Sequence, residues 1–203
     1  AVLEAGGWTL DSLTPEQSRV LTGLISERNR LLETISLLNK QIEEAYAIAD
    51  HDPLLPVYNR RAFMRELSRQ LSFCYRYNSS ACLIYLDLDR FKQVNDTYGH
   101  AAGDEALKGF AHILKTHTRE SDLLGRMGGD EFGLLLINAS VDDARTKADQ
   151  FIGDMDQIQN WPGPLRLGLS CGVVEWKRGE KAEALIDRAD EAMYVDKLRN
   201  RAA

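Results

Sequence analysis

Between Thr14 and Asp50 the chain places apolar residues three and four apart, with polar and charged residues filling the positions between. Such spacing predicts a helix with one apolar stripe. Leu24, Leu31, Leu38 and Ala45 fall in one heptad column, and Leu21, Ile35, Ile42 and Ala49 fall in the other, which Arg28 interrupts. With leucines at d and isoleucines at a, the pattern favours a parallel two-stranded coiled coil. The other reading is an amphipathic helix packed on its own domain; the dimer is favoured because the stripe is narrow and Glu, Lys, Arg and Asn occupy the rest. Arg28 is either a register-setting defect or the point after which the seam starts. Such a helix would extend roughly 55 Å at about 1.5 Å per residue. Thr14 is the candidate N-cap, with Pro15 in the first helical position and Gln17 completing a capping box. His51-Asp52-Pro53 ends the helix, since proline disfavours helical geometry in the residue before it, and Pro56 extends the break.

From about Asn59 onward, helical and strand patterns alternate. The expected order is a helix over 60–77, an apolar strand over 81–88, and a helical stretch over 91–117 broken near Gly99. A short strand near 123–127, a tight turn and a strand over 132–138 follow. A helix over 141–158, a strand over 165–176 and a helix over 182–200 complete the chain. Mixed α and β order with an internal hairpin argues for an α+β fold, helices against one sheet. The chain therefore divides into a lead segment over 1–13, a dimerising helix over 14–50 and a folded domain over 51–203.

Composition narrows the function. The chain has 203 residues, 44% hydrophobic and 28% charged, which suits one sizeable globular core plus an appendage. A formal net charge of −6 gives no basic field to hold a nucleic-acid backbone, so no nucleic-acid partner is expected. A phosphate-bearing ligand would need local positive charge and a metal ion. Cys74, Cys82 and Cys171 are widely separated and odd in number, and read as reduced core thiols of a cytoplasmic protein. His51, His100, His112 and His117 form no HxxxH or HxH pair, which speaks against zinc. No uncharged apolar run approaches the roughly 20 residues a membrane helix needs, and no secretory signal pattern is visible. The chain opens on Ala1 rather than Met, so an upstream sensor or anchor stays open.

The chemistry concentrates in carboxylates. The apolar strand over 81–88 ends in Asp87-Leu88-Asp89, and period-two alternation puts Asp87 and Asp89 on one face. Carboxylates where a core strand emerges are costly unless solvated, paired or bound to a cation. A second acidic pair, Asp130-Glu131, follows Gly128-Gly129. Two glycines between apolar strands signal a hairpin because both can take positive φ, and they let backbone approach a phosphate closely. If the hairpin lies beside the first strand, Asp87 converges with Asp130 or Glu131. Such a cluster suits Mg²⁺, which takes hard oxygen ligands and shares its shell with substrate phosphates. A lone Gly-Gly hairpin or a lone Asp-x-Asp is more often structural; both together shift the balance towards a metal-nucleotide site. Lys197 and Arg201 lie four apart on one helical face and in isolation read as a solvated basic face. Arg119-Glu120-Ser121-Asp122 on its own reads as a local surface pair of little worth.

With these residues in view, 51–203 resembles the GGDEF domain of diguanylate cyclases, enzymes that join two GTP into cyclic di-GMP. The run from Asp87 to Asp104 resembles that family's segment after its first core strand, and Gly128-Gly129-Asp130-Glu131-Phe132 is its signature. The resemblance implies a nucleotide-cyclase/ferredoxin-like palm: a central, mostly antiparallel sheet flanked by helices, here preceded by the long coiled-coil helix. It implies that Asp87 and Asp130, with the Leu88 carbonyl, ligate Mg²⁺, with Mn²⁺ as an alternative. Glu131 would be a further metal ligand or help deprotonate the ribose 3′-hydroxyl. Phe91, Lys92, Gly128 and Gly129 would line the substrate, with Lys92 at the terminal phosphates. Asn95 and Asp104 would bond the guanine edge, where a carboxylate accepts from the ring N–H and the amino group; adenine offers no such pair. Lys197 and Arg201 match the basic pair that clamps the triphosphate. Arg119 and Asp122 resemble an inhibitory product site, since an Arg fork suits phosphate and the guanine Hoogsteen edge.

The implied chemistry is attack of one 3′-hydroxyl on the α-phosphate of a second GTP, expelling pyrophosphate, with positioning and electrostatics doing most of the work. Each such domain binds one GTP, so a homodimer through the helix is expected, and that helix would also relay signals. The chain departs from the family at Leu55-Pro56-Val57, where Thr-Gly-Leu is usual, and at Asn200-Arg201-Ala202, where Gly-Arg-Asn is usual. Two rival readings stand beside the enzyme. One is a catalytically silent domain that senses cyclic di-GMP or GTP; the other is a structural dimerisation protein whose acids are only a solvated strand end.

Overall fold

A computed structural model describes residues 13–158 and 165–202, except for the side chains of 42–49, 156, 157, 201 and 202. The lead segment over 1–12 lies outside the described residues, as do the side chains of Ile42, Ala45, Ala49 and Arg201. The chain forms two compact units, Ala1–Ala49 and Asp50–Ala203.

The first unit holds most of helix α1, Pro15–Asp50, which is 36 residues long. Its capping box forms as the sequence predicts: the Thr14 amide donates to Gln17 Oε1 at 2.9 Å, and the Gln17 amide donates to Thr14 Oγ1 at 3.3 Å. Of the described seam residues, Leu24 at 64%, Leu31 at 53%, Ile35 at 53% and Leu38 at 50% are exposed in the single chain, while Leu21 is half-buried. Val20, Leu32 and Leu37 are exposed as well, so the apolar surface is broader than the narrow stripe expected.

The second unit begins at the end of α1. Helix α2 (Arg60–Tyr77) is capped by Asn59, whose side chain accepts the Ala62 amide, and is closed by Asn78 in the left-handed region at φ 55°. Strand β1 (Ala81–Asp89), helix α3 (Phe91–Tyr98), helix α4 (His100–Thr116), strand β2 (Leu123–Arg126) and strand β3 (Glu131–Ile137) follow. Helix α5 (Val141–Asp154) tightens into a 3-10 turn over Met155–Ile158, ahead of strand β4 (Gly168–Glu175) and helix α6 (Ala182–Ala202). The element order matches the expected one, with β3 starting at Glu131 rather than after it. The last turn expected for α5 is the 3-10 turn.

The sheet order is β2-β3-β1-β4, with every neighbouring pair antiparallel. Central β1 is buried on both faces, which explains its unbroken apolar run. Cys82, Ile84, Leu86 and Leu88 join one core with Val94, Phe110 and Phe151 of α3, α4 and α5. Ala81, Leu83 and Tyr85 join the other with Phe63 and Leu67 of α2 and Leu185 and Ala189 of α6. Asp87 and Asp89 share the parity of that second face, so the strand delivers both carboxylates on the side that α6 covers. Helix α6 lies close on β4: a Cβ on Gly172 would sit 2.0 Å from the Ala189 carbonyl oxygen.

The three cysteines are free thiols, and burial pushes Cys82 up to about 11. The departure Leu55-Pro56-Val57 is a core feature, with Leu55 and Val57 only 2% and 3% exposed. Just beyond it, the Tyr58 amide donates to the Leu124 carbonyl at 3.2 Å and the Arg126 amide donates to the Tyr58 carbonyl at 2.8 Å. The segment that follows α1 is thereby joined to the outer edge of β2.

Candidate active site

Antiparallel pairing sets Asp87 of β1 across from Glu131 of β3 on one side and Ser170 of β4 on the other. Asp87 is 4% exposed. A carboxylate so buried is strongly unfavourable without a partner, and Lys197 of α6 supplies one, donating Nζ–H to Asp87 Oδ1 at 2.6 Å. Asp130 sits in the turn before β3, where its carbonyl accepts the Leu88 amide at 3.2 Å. Burial, and then the charge of Asp87, hold the Asp130 carboxyl above the usual range, while Lys197 pulls it back. The two aspartates therefore feel each other, as converging carboxylates should.

Glu131 is oriented differently. Its Oε2 accepts from the Tyr85 hydroxyl at 3.2 Å, and burial together with this carboxylate pushes the Tyr85 phenol upward. A Cβ at Gly128 would lie 2.8 Å from Glu131 Oε2, whereas Gly129 faces open space. Positive φ among the described glycines belongs to Gly99 and Gly179. Neither glycine of the turn adopts the left-handed backbone expected of a Gly-Gly turn, and a side chain at Gly128 would have to displace only the end of Glu131. Asp89 accepts from the Ser170 hydroxyl at 2.9 Å. Asn200, at one of the departures from the family pattern, donates to Ser170 Oγ at 3.1 Å and to the Leu169 carbonyl at 3.4 Å.

Among the described residues no group of three or more His, Cys, Asp or Glu is arranged to hold a metal ion. An all-protein cage is therefore absent there. Magnesium bound through one or two carboxylates, with water and substrate phosphates completing the shell, requires no such cage. Asp87 and Asp130, with the Leu88 backbone between β1 and the turn, fit that mode.

A groove of about 940 Å³ opens beside these carboxylates, and Asp89, Phe91, Lys92, Asp130, Arg166 and Lys197 are among its lining residues. Arg166 carries no motif and was not visible as a site residue in the sequence; the fold brings it in because it precedes β4, the neighbour of β1. Asp196, also on the groove, accepts the Cys171 amide at 2.9 Å and so ties α6 to β4 next to Lys197.

The junction of α3 and α4 brings the two candidate guanine contacts together. Gly99, at φ 84°, separates the helices, a conformation open to glycine at little cost. A Cβ on Gly103 would meet Asn95 Oδ1 at 2.0 Å. The Asn95 side chain therefore lies on the α4 backbone beside Asp104, which is exposed. Arg119 and Asp122 form a tight turn before β2: the Arg119 amide donates to Asp122 Oδ2 at 3.0 Å and the Asp122 amide donates to the Arg119 carbonyl at 3.1 Å. The contact runs through the Arg119 backbone, leaving its guanidinium exposed.

Arg126 was not read from the sequence as functional, yet it fixes the turn. Its NH2 donates to the Gly129 carbonyl at 2.7 Å and its Nε to the Gly128 carbonyl at 3.1 Å. Its NH1 donates to both oxygens of Asp52 at 3.1 and 3.2 Å. Asp52 in turn accepts the Leu54 and Leu55 amides at 3.0 Å each. The segment between α1 and α2 and the glycine turn thus share one guanidinium. The spacing Asp52-x-Leu54 was a findable signal, because a carboxylate two residues before a free amide commonly closes an Asx turn.

A family model described as "Diguanylate cyclase, GGDEF domain" matches residues 49–203. Among curated proteins, the diguanylate cyclase TpbB of Pseudomonas aeruginosa is 35% identical over 210 residues, 98% of this chain and 45% of that protein. The probable diguanylate cyclase DgcE of Escherichia coli is 35% identical over 171 residues, 82% of this chain and 15% of that protein. The chain thus spans less than half the length of these curated relatives. Among solved structures, the coiled coil and GGDEF domain of DgcB from Caulobacter crescentus, in complex with cyclic di-GMP, aligns with a TM-score of 0.75 at 25% identity, covering 86% of this chain and 94% of that one. The GGDEF domain of TpbB aligns with a TM-score of 0.67 at 36% identity, covering 73% and 89%.

Arg126→Ala would free two turn carbonyls and leave the Asp52 side chain, 10% exposed, without its cation. Unpairing a group of this kind costs about 1–3 kcal/mol, so the urea midpoint is expected to fall accordingly. Arg126→Lys is expected to recover only part of the loss, because an ammonium cannot span the same fork.

Proposed function

The chain belongs to the diguanylate cyclase GGDEF family, and we propose that it condenses two GTP into cyclic di-GMP with release of two pyrophosphates. The observation that carries this reading is the buried Asp87 beside Asp130, paired with Lys197 at the edge of a groove large enough for a triphosphate. Magnesium, or manganese in its place, would be held by Asp87, Asp130 and the Leu88 carbonyl, and would polarise the α-phosphate and acidify the attacking hydroxyl.

The chain's own residues would do the remainder. Asp104 would accept from the guanine ring N–H and amino group, and Asn95 would hold the same edge, so that adenine is refused. Phe91 would wall the groove. Gly128 and Gly129 would let the turn backbone approach the nucleotide. Lys92, Lys197 and Arg201 would neutralise the triphosphate and the departing pyrophosphate. Glu131, hydrogen-bonded by Tyr85, would take the proton of the 3′-hydroxyl or serve as a further metal ligand. The new bond joins O3′ of one nucleotide to the α-phosphorus of the other as the bond to the pyrophosphate oxygen breaks, and the second closure repeats the step.

One domain would present one GTP, so the reaction needs two. The exposed leucines and Ile35 of α1 support a parallel homodimer as the means of bringing the second. Among the described residues no helix is long and apolar enough to cross a membrane; a cytoplasmic location is part of the proposal and accords with GTP as substrate. Arg119 and Asp122 would form a site where product binds and restrains turnover.

Incubating the protein with GTP and Mg²⁺ and resolving the nucleotides tests the reading. Wild type is expected to yield cyclic di-GMP and pyrophosphate, and Asp130→Asn to lose roughly a hundredfold or more of the rate, as for other removals of a key electrostatic group. Nucleotide bound without turnover would instead identify a receptor, and neither binding nor turnover a scaffold. Ile35→Asp puts a charge in the apolar seam, and is expected to give a monomer by light scattering that still binds GTP but has lost turnover; full activity in that variant would remove the dimer from the mechanism. Arg119→Ala is expected to weaken cyclic di-GMP binding by calorimetry and to relieve inhibition by added product. Unaltered inhibition would exclude Arg119 from the product site.

A further inference from the structure

We propose that Lys197 is the resident counter-ion of Asp87 in the nucleotide-free protein, so that a divalent cation gains Asp87 fully only when a triphosphate draws Lys197 away. This rests on the metal and nucleotide roles proposed above and assigns Lys197 a positioning role beyond that of a phosphate clamp: it sets the coupling between metal and nucleotide.

The geometry is specific. Lys197 Nζ lies 2.6 Å from Asp87 Oδ1, with the lysine side chain 21% exposed and the aspartate side chain 5% exposed. In so dry a setting the attraction is much stronger than between solvated charges. Asp130 feels both Asp87 and Lys197, and Glu131 stands across from Asp87 on β3. Among the described residues, Lys197 is the cation bonded to this acidic group. An ammonium on that oxygen uses a lone pair that a metal ion would need, and two cations on the same carboxylate would repel.

Lysine is suited to exchange. Its charge sits at the end of a flexible four-carbon stem, and Lys197 also lines the groove with Lys92 and Phe91. Its helix stays in place when the side chain moves, because Asp196 holds the Cys171 amide and Gly172 admits the α6 backbone. A triphosphate in the groove offers the ammonium new oxygens, and Asp87 is released as the metal-nucleotide arrives. By linkage, metal and triphosphate then raise each other's affinity by the same factor.

The test is Mn²⁺ titration of the full chain followed by electron paramagnetic resonance of the free ion, first without nucleotide and then with the α,β-methylene analogue of GTP. Without nucleotide, Lys197→Met is expected to bind Mn²⁺ about fivefold or more tighter than wild type, the lower end of ordinary site-to-site coupling. The analogue is expected to raise wild-type affinity by a larger factor than it raises that of the variant. Lys197→Gln, which keeps a donor without the charge, serves if the methionine variant fails to fold, with the same expectation. Arg166→Gln removes an equal charge from the same groove, where Arg166 has no ion pair among the described residues, and is expected to change Mn²⁺ affinity less than twofold. Unchanged or weaker nucleotide-free binding in Lys197→Met overturns the proposal, and so does an equal gain in Arg166→Gln, which would reduce the effect to long-range field. If cyclic di-GMP is still made in that case, the proposed function stands. If Mn²⁺ fails to bind wild type even with the analogue, the metal reading falls and this proposal with it.

Discussion

The burial of Asp87 is the constraint around which the site is built. Strand β1 is the central strand, covered on both faces, and it carries a carboxylate to a position 4% exposed. Such a group is tolerated only if charge and hydrogen bonds are supplied locally. The Lys197 ammonium meets that demand at 2.6 Å, which requires α6 to lie down on β4. Gly172 permits the approach and Asp196 secures it. Asn200 adds a further tie between the end of α6 and β4. A long stretch of the fold is thereby committed to one carboxylate, a commitment that the proposed metal-phosphate chemistry would explain.

A second commitment is made at the glycine turn. The turn holds Asp130 against β1 through the Leu88 amide, while its own carbonyls are gathered by Arg126. Because the same guanidinium holds Asp52, the geometry of the acidic pair is mechanically continuous with the segment that follows α1. Leu55 and Val57 bury that segment in the core, and Tyr58 is paired to the edge of β2. The stretch where the chain departs from the family pattern is therefore built into the domain rather than left as a slack tether.

Most of the fold was legible because its elements announce themselves by period. The unbroken apolar run of β1, the capping box at Thr14 and Gln17, and the break at Gly99 each depend on neighbours within a few residues. The acidic pair was legible too, since strand parity fixes which face Asp87 takes. What escaped the sequence depends on distant partners. Arg166 gains meaning only when β4 pairs with β1; Arg126 only when Asp52 folds back onto it. The Gly128-Gly129 turn was expected to need positive φ and does not use it, a distinction that no local pattern carries. Glu131 lies across from Asp87 in the β1–β3 register, and its bond to the Tyr85 hydroxyl is a contact that no local pattern announces.

The bond between Tyr85 and Glu131 bears on the proposed chemistry. A metal-assisted transfer needs one set of oxygens that stay ionised at the metal and one base free to accept a proton. If all three carboxylates converged equally, their mutual repulsion would force a proton onto one of them, and none would be reserved for the hydroxyl. In this fold Asp130 already shows that pressure from Asp87 and from burial, with Glu131 only a lesser contributor. The Tyr85 hydroxyl, in a buried phenol that resists losing its proton, remains a hydrogen-bond donor to Glu131. Strand β1 carries both Asp87 and the tyrosine that hydrogen-bonds Glu131, so the proposed metal ligands and the proposed proton acceptor are organised by one strand and its neighbour β3. The proposed reaction needs a second nucleotide besides, and the exposed apolar residues of α1 are what support a dimer as its source.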